Sequence, residues 1–196
     1  MRFISSIPFS ITASIILAAI LSFSYAAFRT SVVPLFTYIS PVHPSADMAG
    51  SSSWFQKTLT LPARSRGSYL ITDSVVSQLP EIKQYRVGIL HLFIQHTSAA
   101  LSMNENWDDD VRADMSDALD RIVPEDKRGN LYRHSAEGSD DMPAHIKSAL
   151  IGSSVSIPIS NGRLATGTWQ GIWYLEFRAA KHTRKVVATL QGEKIE

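Results

Sequence analysis

From Trp54 to Leu61 apolar and polar residues alternate, Phe55, Leu59 and Leu61 against Gln56, Thr58 and Thr60. A period of two predicts a strand with one buried face. Ser68 to Thr72 reads as a second short strand, followed by a helix from Asp73, its cap, to about Leu79. Gly88 to Gln95 is almost continuously apolar, which predicts a strand buried on both faces, and Ala99 to Asn104 returns as another. Val111, Met115, Leu119 and Ile122 fall at helical spacing within Asp109 to Ile122, and acids occupy the first turn, where the helix dipole favours them. A further helix, capped by Asp141 with Pro143 in its first turn, runs to about Leu150 and stops at Gly152. Three strands follow: Ser153 to Ser160, Leu164 to Phe177 with an interruption, and Arg184 to Gln191. Asn161-Gly162 is a hairpin turn signal between the first two. Strands outnumber helices and short turns join them. The expected class is therefore α+β, a mainly antiparallel sheet with a few helices packed on it.

The N-terminal quarter follows another pattern. Phe3 to Phe28 is uncharged and mostly apolar, between Arg2 and Arg29, and a run of about 20 such residues is enough to span a bilayer. Residues 1–29 read as a secretory signal, with Ser24-Tyr25-Ala26 as a cleavage site, or as a retained anchor; a mitochondrial presequence has too few arginines to fit as well. Translation from Met48 is the competing reading, and it would leave a cytosolic protein, with no membrane association beyond that extension. Residues 30–53, rich in Ser and Pro, read as a linker, and residues 54–196 as the domain.

Composition then narrows the chemistry. Arg2, Arg29 and Asp47 are the only charges before residue 50, so the domain is balanced between basic and acidic residues. With no basic run it offers no electrostatic footprint for nucleic acid. The chain has no cysteine, which excludes disulfides, thiol nucleophiles and thiolate zinc sites. A bound metal must be held by imidazole and carboxylate. The segment Tyr132 to Lys147 concentrates such groups: His134, His145, Glu137, Asp140 and Asp141, with Gly138 to bend the chain. Gln95-His96-Thr97-Ser98 and Thr166-Gly167-Thr168-Trp169-Gln170 are two further polar segments of the kind that line a site.

Long ordered segments carry a family resemblance. Gln95 to Asp108, Glu137 to Gly152 and Gly162 to Arg178 closely resemble the YjbQ family, also named secondary thiamine-phosphate synthase, and Trp54 to Gly67 and Val186 to Glu193 resemble that family's two ends. The resemblance covers nearly all of residues 53–196. It implies a compact α+β domain, a homotrimer, polar clefts holding the shared histidines, and a small phosphorylated substrate. The implied reaction joins a hydroxymethylpyrimidine pyrophosphate to a thiazole phosphate and releases pyrophosphate. Asp109 departs from the family pattern, which often has proline there.

Each candidate has a functional and a plainer reading. His96, His134 and His145 could converge as a facial site for a divalent metal, magnesium- or zinc-like, if the loop from Ser135 to Asp141 folds back at Gly138. A histidine hydrogen-bonded to turn backbone, or one packed on its helix, is the alternative for each ring. Glu137 or Asp141 could complete the site, although Asp141 is better explained as a helix cap. His96, Asn104, Glu105, Glu137 and Gln170 are the catalytic candidates, with Asn104 and Glu105 expected beside His96 across an antiparallel pair; turn or capping roles compete for both. Thr97, Ser98, Arg163, Thr166, Gly167, Thr168 and Trp169 are the substrate-binding candidates, the glycine permitting close approach to an anion and Trp169 stacking on a ring. A bulge and a core tryptophan are the alternatives there. Lys147 and Arg133 are further phosphate neutralisers or surface charges, and His91 is a core or subunit-interface histidine. Two other functions compete with the transferase: a metal-dependent phosphoester hydrolase, and a non-catalytic trimeric module that binds a metabolite or metal.

Overall fold

A computed structural model describes residues 52–196. The hydrophobic extension, and the linker up to residue 51, lie outside the described residues, within which no helix is long and apolar enough to cross a membrane. Eight strands form two antiparallel sheets. β1 (Ser53–Thr60), β8 (Lys185–Lys194), β3 (Tyr85–Ile94), β5 (Ser154–Ser160) and β6 (Arg163–Leu164) lie in that order in the larger sheet. β2 (Gly67–Leu70), β7 (Gln170–Glu176) and β4 (Ala99–Glu105) make the smaller one. Three α-helices complete the described residues: α1 (Thr72–Gln78), α2 (Asp109–Ile122) and α3 (Asp141–Ile151), the first followed by a 3-10 turn (Pro80–Gln84). α2 packs on β2 and α3 on β4. The expected antiparallel α+β class holds, with two sheets rather than one.

The smaller sheet is the middle layer. Its Leu101, Ile172 and Tyr174 face Leu90, Leu92, Ile157 and Leu190 of the larger sheet. Its Ala100, Trp173 and Leu175 turn the other way, to Leu119 of α2 and Ala144 of α3. β7 is therefore buried on both faces, which explains its unbroken apolar run. β3 is not. Leu90, Leu92 and Ile94 are buried, but Val87, Ile89 and Phe93 are exposed on the outer face. The expectation of burial on both sides of β3 fails because apolar content alone does not distinguish a core face from an exposed one. The cap of the first helix also needs correction. Asp73 caps nothing: α1 begins after Ile71 without a side-chain cap, and the Thr72 hydroxyl instead accepts from the Ile172 N–H. α2 is capped by Asp108, whose carboxylate accepts from the Asp110 N–H.

Gly88 and Gly192 face each other across β3 and β8. A Cβ on Gly192 would lie 2.2 Å from the Val87 carbonyl oxygen, and one on Gly88 would lie 2.4 Å from that of Gln191. These neighbours are backbone and cannot swing aside. Gly192→Ala is expected to destabilise the domain by about 1–3 kcal/mol, measured by chemical unfolding. An unchanged midpoint would mean that the two strands separate more easily than this packing implies.

Candidate functional site

Asp141 and His145 are one helical turn apart and so share a face of α3. His134 reaches them from the long α2–α3 loop. Asp126 organises that loop, its carboxylate accepting from the N–H groups of Asn130, Leu131 and Tyr132. Burial pushes the Asp126 carboxyl up, but these bonds more than reverse it and hold it below the usual carboxylate range. The loop then bends at Gly138, whose φ of +115° is a region that favours glycine. The two imidazoles end with ring centroids 5.5 Å apart.

Asp141 is the hub. It is 1% exposed, and its Oδ2 accepts from His134 Nε2 at 2.8 Å while its Oδ1 lies 3.5 Å from His145 Nε2. Arg178, which follows β7, donates through Nη1 to Asp141 Oδ1, through Nε to Asp140 Oδ2 at 3.3 Å and through Nη2 to the Glu137 carbonyl at 2.7 Å. The assignment of Asp141 as helix cap is thus corrected. Asp140 holds the cap position, no side-chain cap bond forms, and Asp141 is committed to Arg178 and the histidines. Arg178 was not picked out from the sequence, and Asp141 was offered beside the histidines only as the lesser alternative to a helix cap. The available signal was the four-residue spacing of Asp141 and His145.

Among the described residues, the group that could hold a metal is His134, Asp141 and His145, one ligand atom from each lying within 4.8 Å of the others. His145 Nδ1–H donates to the Thr97 carbonyl at 3.0 Å, so its Nε2 keeps a lone pair. Fixing one ring nitrogen in this way is how proteins orient a ligating histidine. Two imidazoles and a carboxylate suit zinc, manganese or iron better than magnesium, which favours all-oxygen sites. The expected trio of imidazoles is therefore corrected to two and a carboxylate. His96 lies outside the group and its Nδ1 accepts from the Ser98 N–H at 3.1 Å, which in the neutral ring puts the proton on Nε2 and leaves no lone pair for a metal. Burial and then the nearby Arg184 lower the His96 pKa and favour that neutral form. His96, Thr97 and His145 do share one open cavity of about 650 Å³, lined also by Phe93, Ser148 and Ser153. Ser98 is buried beneath it.

The remaining candidates are elsewhere. β4 leaves β3 and pairs with β7, so Ala99 faces Glu176 at the histidine end and Glu105 faces Gln170 at the other, six residues and roughly 20 Å away. Asn104 and Glu105 are therefore not beside His96. Asn104 Oδ1 accepts from the Glu105 N–H, and Glu105 accepts from the Asp108 N–H just before α2. Gln170 Oε1 accepts from the Gly167 N–H. Thr166, Thr168 and Trp169 belong to that far end, where Trp169 is exposed and packs edge-on against Trp107, and is not core. Arg163 is on β6, at the edge of the larger sheet. Glu137 is exposed, its nearest carboxylate oxygen 3.9 Å from Arg178. The Lys147 ammonium is buried and paired with Asp120, not free for a phosphate.

Beneath the histidine end lies a charged pair the sequence reading missed. Glu176, fully buried, accepts from Arg184 Nε at 2.7 Å, Arg184 Nη2 at 2.9 Å and the Tyr174 hydroxyl at 2.6 Å. It also accepts from the N–H groups of Phe177 and Arg178, which fixes the backbone that carries the Arg178 side chain. A glutamate inside the apolar run of β7 was the signal.

Comparison with known proteins now decides the family. The YjbQ model, described as UPF0047 protein YjbQ-like, matches residues 57–193. The chain belongs to the YjbQ (UPF0047) family. It is similar to UPF0047 protein YjbQ of Escherichia coli O157:H7, 52% identical over 140 residues that cover 71% of this chain and 99% of that one. UPF0047 protein YugU of Bacillus subtilis 168 is 38% identical, with 69% and 98% covered. Among solved structures, the hypothetical protein APE1520 of Aeropyrum pernix K1 superposes with a TM-score of 0.62 at 26% identity, covering 71% of this chain and 99% of its own. A YjbQ/UPF0047 protein of Clostridium acetobutylicum gives 0.55 at 36%, covering 72% and 99%. The matched YjbQ region holds all three groups, His134, Asp141 and His145.

Proposed function

We propose that this YjbQ-family protein is a metal-assisted enzyme acting on small phosphorylated substrates, with a thiamine-phosphate synthase-like transfer as its reaction. The observation that carries the reading is the convergence of His134, Asp141 and His145, with the His145 Nε2 lone pair left available, beside a cavity large enough for a small molecule. His134, Asp141 and His145 would hold the ion, which would take the place of the proton His134 Nε2 now gives to Asp141, and whose charge would neutralise a pyrophosphate leaving group. In that reaction the methylene C–O bond breaks, pyrophosphate leaves with the electron pair, and the thiazole nitrogen lone pair forms the new C–N bond. Alignment and charge stabilisation are what such a step requires of a protein. Arg178 holds Asp141 in place, Thr97 holds the His145 ring, and His96 offers its Nε2–H to the cavity.

Incubated with both precursors and a divalent metal, the purified protein is expected to form thiamine phosphate and release pyrophosphate, at a rate reduced roughly 100-fold or more in His145→Ala. Equal rates in the two proteins would remove the site from the reaction. The second reading, a metal-dependent phosphoester hydrolase, is favoured by one observation: the His134 side chain is 49% exposed, so water reaches the site in the single chain. Phosphate release from simple phosphoesters without any coupled product would select it.

A homotrimer is part of the same proposal. The outer face of β3, β5 and β8 carries Ile89, Phe93, Val187 and Pro158 among uncharged residues, and His91 there bonds Ser156 at 2.9 Å. Uncharged apolar surface of this kind supports a contact between subunits. A molar mass in solution three times that of the chain is expected from light scattering.

A further inference from the structure

A cleft of about 520 Å³ between β2 and α2 shares no residue with the histidine group. Three arginines line it, Arg64 and Arg66 from the segment before β2 and Arg112 from α2. Their states differ. Arg66 is already matched by Asp117 at 2.9 Å and Asp120 at 2.5 Å. Arg64 has no carboxylate partner among the described residues, and its guanidinium stacks on Tyr69, 4.9 Å from the ring centroid. Arg112 is 14% exposed and its Nη1 is buried without a hydrogen-bond partner. A buried guanidinium nitrogen left unpaired is costly, and it asks for an acceptor. Its one ion pair is with Asp109, a carboxylate 91% exposed on the first turn of α2. Asp109 is itself on the surface and reaches Arg112 from the same helix, so it can swing into solvent and an incoming anion can take its place. The Ser68 and Ser116 hydroxyls bond each other at 2.9 Å, so recognition falls to the arginines.

We infer that this cleft binds a phosphate group, held between Arg64 and Arg112 once Asp109 yields. With Asp109 moved away, the two guanidinium charges match a phosphate dianion, whereas a lone carboxylate would need only one, and arginine suits phosphate through paired N–H donors. The site is separate from the proposed catalytic one.

Calorimetric titration of the full chain with inorganic phosphate tests this. Saturable binding is expected in the wild type and unchanged in His145→Ala. Arg112→Gln and Arg64→Gln are each expected to weaken it about tenfold or more. Asp109→Asn is expected to tighten it, because the competing carboxylate is gone. Arg64 is exposed, so its variant reports even if Arg112→Gln does not fold. Absence of binding in the wild type, equal affinity in the wild type and the Arg64 variant, or loss of binding in His145→Ala alone would overturn the proposal.

Discussion

Glu176→Gln is expected to destabilise the domain by about 3–5 kcal/mol, the cost of breaking a buried ion pair from one side. Arg184 is buried with its charge, and the amide would offer Nε and Nη2 only a neutral acceptor in place of a carboxylate. The Tyr174 hydroxyl and the backbone turn at Arg178 would loosen with it. The effect should also depend on pH. Burial pushes the Glu176 carboxyl up, but Arg184, then the Tyr174 hydroxyl and the Arg178 N–H, outweigh it and hold the group below the usual range. A carboxylate depressed in the folded state stabilises fully above its unfolded pKa, about 4.3 for glutamate. That contribution fades as pH falls through the lower folded value. Chemical unfolding across the acid range should therefore show the wild type losing stability below about pH 4 more steeply than Glu176→Gln. Parallel curves would show that Glu176 is not the group responsible.

Asp141→Ala has the second largest expected effect. It removes the acceptor of Arg178 Nη1 and of His134 Nε2 together, from a position 1% exposed. Arg178 keeps Asp140 and the Glu137 carbonyl, so the cost should fall at the lower end for a buried pair, about 3 kcal/mol. That corresponds to a melting temperature lower by roughly 6–12 °C for a domain of this size. Asp141→Asn preserves shape and should cost less. If alanine at 141 unfolds within a degree of the wild type, Arg178 is held by Asp140 alone and Asp141 is not the hub.

What could be read from the sequence follows from the range of the interactions. Strand alternation, the Asn161-Gly162 turn and the helical spacing of Val111, Met115 and Leu119 are local, and the elements they predict form. The fold-back at Gly138 was also legible, because a glycine between two histidine-bearing segments leaves few other routes. The pairing of strands was not. β3 and β4 are neighbours in sequence yet join different sheets, and this separates His96 from Asn104 and Glu105. The Thr166 to Gln170 segment was read as part of the site from its glycine and hydroxyls, whereas its position is fixed by the register of β7 against β4. Arg178 and Arg184 were hidden for a related reason: their partners are more than thirty residues away or buried in β7, and arginine in a loop gives no local sign of being buried.

The central claim is that His134, Asp141 and His145 form one metal site. Its most direct test is the metal content of the purified protein after zinc or manganese is offered and excess removed. About one divalent ion per chain is predicted for the wild type and for His96→Ala, and none for His145→Ala. Metal absent from the wild type, or lost with His96 and kept without His145, would contradict the account.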